Sequence, residues 1–223
     1  SPPAPEGIME RQSGSTPVLV VQSPKGTMET RHEVASARFL LGRKNCDLLI
    51  EDPFVSDFHA QLFRRDGALV LQDLGSKNGV FLRIADDLML ENGDEIIVGQ
   101  QRLVFRIGLD DPREEAGDRP RLLGAPIRDA DAHLVRYLEG GQTGGAYPLS
   151  EQTSIGGPSA DVSFEDDPLL SPEHAVVRRT DKGFALRDAD SQTGTYIRIA
   201  DAVELIDGDC FLIGRTRIRL TGV

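Results

Sequence analysis

The chain has 223 residues, enough for two ordinary domains with a core each. Its 25 Lys+Arg against 36 Asp+Glu give a formal net charge of −11, which argues against a nucleic-acid binder resting on cationic contacts. No apolar run approaches the roughly 20 residues of a membrane span, and no signal-peptide pattern is evident.

Cys46 and Cys210 lie one in each half and have no metal spacing, so free thiols and a cytoplasmic location are the expectation. Residues 1–16, from Ser1-Pro2-Pro3-Ala4-Pro5 to Thr16, lack a hydrophobic period and read as a flexible arm. The start at Ser1 rather than Met reads as a fragment or as a chain left by cleavage of a tag. Val18-Leu19-Val20-Val21 predicts a first strand, Lys25-Gly26 a turn, and Arg38-Phe39-Leu40-Leu41 a strand leading into Gly42-Arg43. Short β-rich runs, Leu48-Leu49-Ile50 and Ala68-Leu69-Val70-Leu71, then alternate with two polar clusters. These clusters are Val55-Ser56-Asp57-Phe58-His59-Ala60 and Asp73-Leu74-Gly75-Ser76-Lys77-Asn78-Gly79. Both fall on turns between strands, where functional groups sit on a rigid scaffold. Asn92-Gly93 reads as a hairpin turn, and Leu103-Val104-Phe105-Arg106-Ile107 as a closing strand. Residues 109–130, with Asp110-Asp111-Pro112, Gly117 and Pro120, read as a linker.

The second half repeats the first. At an offset of 115, Ser56 and His59 map to Ser171 and His174, Asp73 to Asp188, Ser76 to Ser191 and Gly79 to Gly194. Arg83-Ile84-Ala85-Asp86 maps to Arg198-Ile199-Ala200-Asp201, and Asn92-Gly93 to Asp207-Gly208. Upstream the offset is 114 and places Gly42-Arg43 on Gly156-Gly157. With no sustained 3.6-residue period, the pattern predicts an all-β chain of two tandem β-sandwich domains, residues 17–108 and 131–223.

Arg43, Ser56, Lys77 and Asn78 form a donor-rich set suited to a phosphate oxyanion. Arg43 offers a planar fork of donors, Ser56 a short hydroxyl, Lys77 a point charge, and Asn78 an amide that both donates and accepts. Gly42, Ser76 and Gly79 shape the turns that carry them. The bland alternatives are an Arg43 ion pair with Asp47 or Asp52, a turn-capping Ser56 and a plain turn at Ser76–Gly79. His59, framed by Phe58 and Ala60, reads as a buried residue bonded to backbone. Ser56 and His59 lack a Gly-x-Ser-x-Gly elbow and an orienting acid, so an enzyme is not expected.

Gly42-Arg43, Ser56-x-x-His59 and Ser76-x-Asn78-Gly79, in that order, resemble the forkhead-associated (FHA) family. Asn92–Gly99 and Leu103–Phe105 resemble that family's last strands. The resemblance implies two packed sheets with recognition loops at one end, and a phosphothreonine contacted by Arg43. It also implies a structural role for His59 and a setting in kinase signalling, without a cofactor. One departure is Asp57, where the family often has a basic or amide residue. Its carboxylate would repel a phosphate unless turned away towards Arg64 or Arg65. The second copy departs further, with Gly157 for the arginine, Thr193 for the asparagine and Glu173 after Pro172.

The chain is therefore expected to recognise a Thr-phosphorylated protein through its first copy, with neither membrane nor nucleic acid as partner. The second copy is expected to fold by itself and to serve as a phosphate-independent interaction domain. The rival is a scaffold that binds protein through both sandwiches, by self-association or intramolecular docking.

Overall fold

Short runs of aliphatic and β-branched residues, punctuated by Gly, Asn and Asp, leave no stretch with a helical period. The computed structural model describes residues 16–22, 29–108 and 131–223, and these form twenty strands and no helix. Nearly all of the expected arm, the Lys25-Gly26 turn and the expected linker lie outside the described residues. The first copy supplies β1 (Val18–Gln22), β2 (Glu29–Glu33), β3 (Arg38–Gly42), β4 (Leu48–Leu49) and β5 (Ala60–Arg65). It continues with β6 (Ala68–Asp73), β7 (Val80–Arg83), β8 (Leu88–Leu90), β9 (Glu95–Val98) and β10 (Gln101–Ile107). The second copy supplies β11 (Ala132–Tyr137), β12 (Thr143–Pro148), β13 (Gln152–Gly156), β14 (Val162–Ser163) and β15 (Glu173–Thr180). Its remaining strands are β16 (Gly183–Asp188), β17 (Thr195–Arg198), β18 (Ala202–Leu205), β19 (Cys210–Ile213) and β20 (Thr216–Thr221).

One ten-stranded sheet runs β12-β11-β10-β9-β17-β7-β19-β20-β1-β2. Two five-stranded sheets, β18-β6-β5-β3-β4 and β14-β13-β15-β16-β8, complete the two sandwiches. All pairings are antiparallel except β3 with β4 and β13 with β14. The type of turn follows local chemistry. Asp66 and Gly67, at φ of 53° and 90°, turn β5 into β6 as a two-residue hairpin with both φ positive.

The two copies exchange their last three strands. β8 pairs with β16 of the second copy, and β18 pairs with β6 of the first. β9 lies against β17, and β19 against β7. The cores follow the exchange. Leu41, Leu62 and Leu71 pack with Phe211, Ile213, Ile218 and Leu220 in one cluster. Ile96, Leu103 and Phe105 pack with Leu134, Ile155 and Leu186 in the other. The expectation that residues 17–108 and 131–223 each close their own sandwich is corrected by these pairings. The first sandwich is built from residues up to Arg83 and from Ile199 onwards; the second from the strands between.

The hinges give a physical reason. Ile84–Asp87 is the whole connection from β7 to β8, and Ile199–Asp201 the whole connection from β17 to β18. Stacked sheets lie about 10 Å apart, and so short a connection has little length left for reversing direction after that step. Short hinges of this kind favour exchange between identical units. Here the strands cross at a pseudo-two-fold point: Ile84 N donates to Thr195 O and Ile199 N to Val80 O, each at 3.0 Å. The sequence also misleads at Asn92-Gly93 and Asp207-Gly208. Both are turns, with Gly93 and Gly208 at φ of 103° and 91°, but each links strands of different sheets and is no hairpin.

Exchange redistributes charge. Residues 17–108 carry 11 Lys+Arg against 13 Asp+Glu, and residues 131–223 carry 9 against 15. Residues 17–83 with 199–223, which make the first sandwich, carry 12 against 12. Strand exchange thus leaves the sandwich with the donor-rich loops neutral and moves the acidic excess to the other.

Candidate functional site

The site is built on a backbone approach that only glycine permits. A Cβ at Gly42 would lie 2.3 Å from Asp57 O and 2.9 Å from Cys46 Sγ. Without it, the β3–β4 loop closes on the Ser56–Asp57 turn. Arg43 N bonds to Ser56 O and Asp57 O at 3.1 Å each, and Lys44 N to Asp57 O at 3.2 Å.

His59 braces this turn from below. It is fully buried, its Nδ1 accepts from Ser56 N at 3.0 Å, and its Nε2 lies 3.0 Å from Gly79 O. Acceptance at Nδ1 leaves Nε2 as the donor in a neutral ring. Burial, the largest influence, pushes the imidazole below its ordinary value of 6.5. The Ser76 loop is fixed by Asp73, which accepts from Ser76 N and Oγ at 2.7 and 3.1 Å, while Ser76 Oγ accepts from Gly79 N at 2.9 Å. Gly79 holds a left-handed φ of 84°.

Two bonds tie the loops together. Ser56 Oγ accepts from Lys77 N at 3.1 Å, which leaves its O–H able to donate, and Asn78 Nδ2 donates to Phe54 O at 2.7 Å. Arg43, Ser56, Lys77 and Asn78 therefore share one end of the first sandwich. Asn78 spends a donor on the loop, leaving its carbonyl oxygen and second N–H. Lys77 is exposed.

The Asp57 carboxylate is not turned towards Arg64 or Arg65. Arg64 donates to Gly67 O at 3.2 Å, and Arg65 lies 3.7 Å from Glu204. Asp57 instead takes Arg43 and Lys44, each at 3.0 Å. Lys44 first, then Arg43, holds its carboxyl below the usual 3.8. Asp47 and Asp52, the other candidate partners of Arg43, are engaged with backbone: Asp47 with Leu40 N at 2.7 Å, Asp52 with Phe54 N at 2.8 Å and Arg215 N at 2.6 Å. Sequence reasoning missed Lys44. Its signal was adjacency to Arg43 on a turn, where two neighbouring cations converge on one anion.

The second sandwich keeps the frame without the cations. His174 receives Ser171 N at 3.2 Å and meets Gly194 O at 3.0 Å, Ser171 Oγ accepts from Gln192 N at 3.1 Å, and Thr193 Oγ1 donates to Leu169 O at 2.9 Å. Gly157 N reaches Ser171 O and Pro172 O at 3.1 Å each, as Arg43 N does in the first copy. Gly157 and Pro158 stand where Arg43 and Lys44 stand, so the loop survives and its charge does not.

The model of the FHA domain matches residues 39–99 and 153–214, more than half of the chain. An oxoglutarate dehydrogenase inhibitor of Corynebacterium diphtheriae is 37% identical over 81 residues, which cover 32% of this chain and 57% of that protein. The glycogen accumulation regulator GarA of Mycolicibacterium smegmatis is 33% identical over 115 residues, 47% of this chain and 67% of that protein. The chain thus spans little more than half the length of the first of these relatives. Among solved structures, the FHA domain of CT664 protein from Chlamydia trachomatis aligns over 94% of this chain and 99% of its own, with a TM-score of 0.39 and 11% identity.

Proposed function

The chain belongs to the FHA domain family, and from that premise we propose that its first sandwich reads phosphothreonine peptides in kinase-dependent signalling. One observation carries this reading: an oxyanion is already held there, since the Asp57 carboxylate lies 3.0 Å from both Arg43 and Lys44. A phosphate presents more charge and more acceptor oxygens than a carboxylate and competes for the same donors. Arg43 supplies the fork, Lys44 and Lys77 the point charges, Ser56 its hydroxyl proton, and Asn78 its remaining amide groups for the peptide main chain.

The second copy is a phosphate-independent scaffold, and its first partner is the first sandwich, which it completes with β18, β19 and β20. The chain works by binding a phosphorylated protein rather than by catalysis, in the cytoplasm where such a partner meets a Ser/Thr kinase. The relatives' names, an inhibitor and a regulator, agree with such a role. A scaffold independent of phosphate in both halves is the rival, favoured by Asp57 already filling the site. Calorimetric titration of the chain with a degenerate phosphothreonine library and its unphosphorylated counterpart separates the two. Saturation by the phosphorylated library alone, at one site per chain, is expected; equal heats from both sink the reading.

A further inference from the structure

The first site adjoins a residue that the first copy does not encode. The β19–β20 hairpin, which reaches the first sandwich by exchange, carries Arg215. Its backbone N donates to Asp52 at 2.6 Å, and its guanidinium lies 4.2 Å from the centroid of the Phe54 ring. Phe54 is the residue whose carbonyl holds Asn78. The chain supplies its own comparison, because Gln100 occupies the same hairpin position in the second sandwich. Gln100 N donates to Asp167, the counterpart of Asp52, at 2.7 Å. The fold therefore uses the backbone of this residue in both sandwiches and does not require an arginine.

The side chains differ in step with the site. By repeat position, Arg43 and Lys77 correspond to Gly157 and Gln192, and Arg215 and Phe54 correspond to Gln100 and Leu169. A cation stands at the hairpin only in the sandwich that keeps cations on its loops, although Arg215 is encoded 172 residues after Arg43. Arg215 is also in reach of a ligand. Its side chain is 61% exposed, and its ion partner Glu139, at 3.3 Å, is 72% exposed. An ion pair so wet is weak and readily replaced by another carboxylate.

We infer that Arg215 is a specificity residue of the first site, donated by the second copy, and that it selects a phosphothreonine peptide carrying an acidic side chain near the phosphorylated residue. The inference rests on the phosphothreonine reading and adds the chemistry of the flanking residue. In the complex the peptide carboxylate replaces Glu139 on the guanidinium while Phe54 holds the guanidinium plane from behind.

The test uses alanine-based phosphothreonine peptides in which a single glutamate is moved through the flanking positions, titrated against the whole chain. A gain of about fivefold at one position over the all-alanine peptide is expected for the unmodified protein, the scale of one partly exposed charge pair. Arg215→Gln removes that gain and leaves the affinity for the all-alanine phosphopeptide unchanged; Arg215→Lys keeps part of it. Arg215→Glu transfers the preference to a lysine at the same position. Unaltered melting of the three variants excludes a folding effect. Phosphate-dependent binding with no glutamate gain at any position, or a gain that survives Arg215→Gln, overturns the inference alone. Absence of phosphate-dependent binding to the all-alanine peptide overturns the reading beneath it and the inference together.

Discussion

The Asp57 carboxylate accepts from Arg43 Nε and Nη2 at 3.1 and 3.0 Å through one oxygen and from Lys44 Nζ at 3.0 Å through the other. On the proposed reading it occupies the donors a phosphate would take, as an internal stand-in for the ligand. Asp57→Asn removes the competing charge and frees both cations, so the variant is expected to bind phosphothreonine peptide more tightly than the unmodified chain. The groups are exposed, so the gain shrinks as salt rises. Titrations at low and high salt check it; equal or weaker binding by the variant at low salt would show that Asp57 assists by holding Arg43 in place.

On the phosphothreonine reading, Arg43 is the residue whose loss the site cannot replace. Arg43→Ala takes away a charge-assisted fork and is expected to cost about 2–4 kcal/mol of phosphopeptide binding. Its side chain is 45% exposed, so the melting temperature should hardly move. In the whole chain only this weakened binding at the first sandwich should remain, because the second sandwich has Gly157 and Pro158 where the cations would be. Phosphate-dependent binding undiminished in Arg43→Ala would place the phosphate site elsewhere.

How much of this was legible in the sequence differs by level. The loops were readable because each bond has a local signature: Gly42 for the close approach, Ser56 three before His59, and Asp73 three before Ser76. Most strands were readable from their short apolar runs, but β2 (Glu29–Glu33) and β12 (Thr143–Pro148) carry none and were not. The exchange was not, because β9 and β19 carry like patterns and fill like places, so pattern alone cannot assign a strand to a sandwich. Only the shortness of the hinges at Ile84–Asp87 and Ile199–Asp201 hinted at it. Arg215 was hidden for the same reason, since its neighbour in space belongs to the other repeat. The pairing of Asp57 escaped because side-chain direction on a turn follows from the loop's bonds rather than from residue order.

His59 gives the fold a pH dependence. Its ring is held below 6.5 by burial, and burial lowers His133 likewise. For a base depressed in the folded state, the unfolded chain binds more protons below the ordinary value. Stability is therefore complete above pH 6.5 and falls as the pH drops below it, before the carboxylates that are held below 3.8 contribute. Urea midpoints measured at falling pH should decline from that point. Protonating Nδ1 also removes the acceptor of Ser56 N, so the affinity of the site should fall with the stability. A proton titration of the His59 ring with a midpoint at or above 6.5 would contradict this account.

Strand exchange itself makes a sharp prediction about the covalent connection between the copies. A protease site placed within residues 109–130 cuts the chain between β10 and β11. If each copy closed on itself, the two fragments would be separate sandwiches sharing only a sheet edge, and dilution would part them. With exchange, the first fragment contributes Ile96, Val98, Leu103 and Phe105 to the second core, all fully buried, and the second fragment contributes Phe211, Ile213, Ile218 and Leu220 to the first. Exposing such side chains costs about 1.5–3 kcal/mol each, so the fragments cannot part without unfolding. The cut protein should keep the mass of the intact chain in solution, and separate only in denaturant, at the concentration that unfolds it. The hinges are the control. Lengthening both Ile84–Asp87 and Ile199–Asp201 with flexible Gly-Ser inserts allows each chain half to turn back onto its own sheets, and the cut fragments should then separate under native conditions. Residues 131–223 expressed with the natural hinge lack β8, β9 and β10 and should pair with a second copy of themselves. Fragments that separate after cleavage of the chain with unaltered hinges would show that each copy closes its own sandwich, and Arg215 would then belong to the second site.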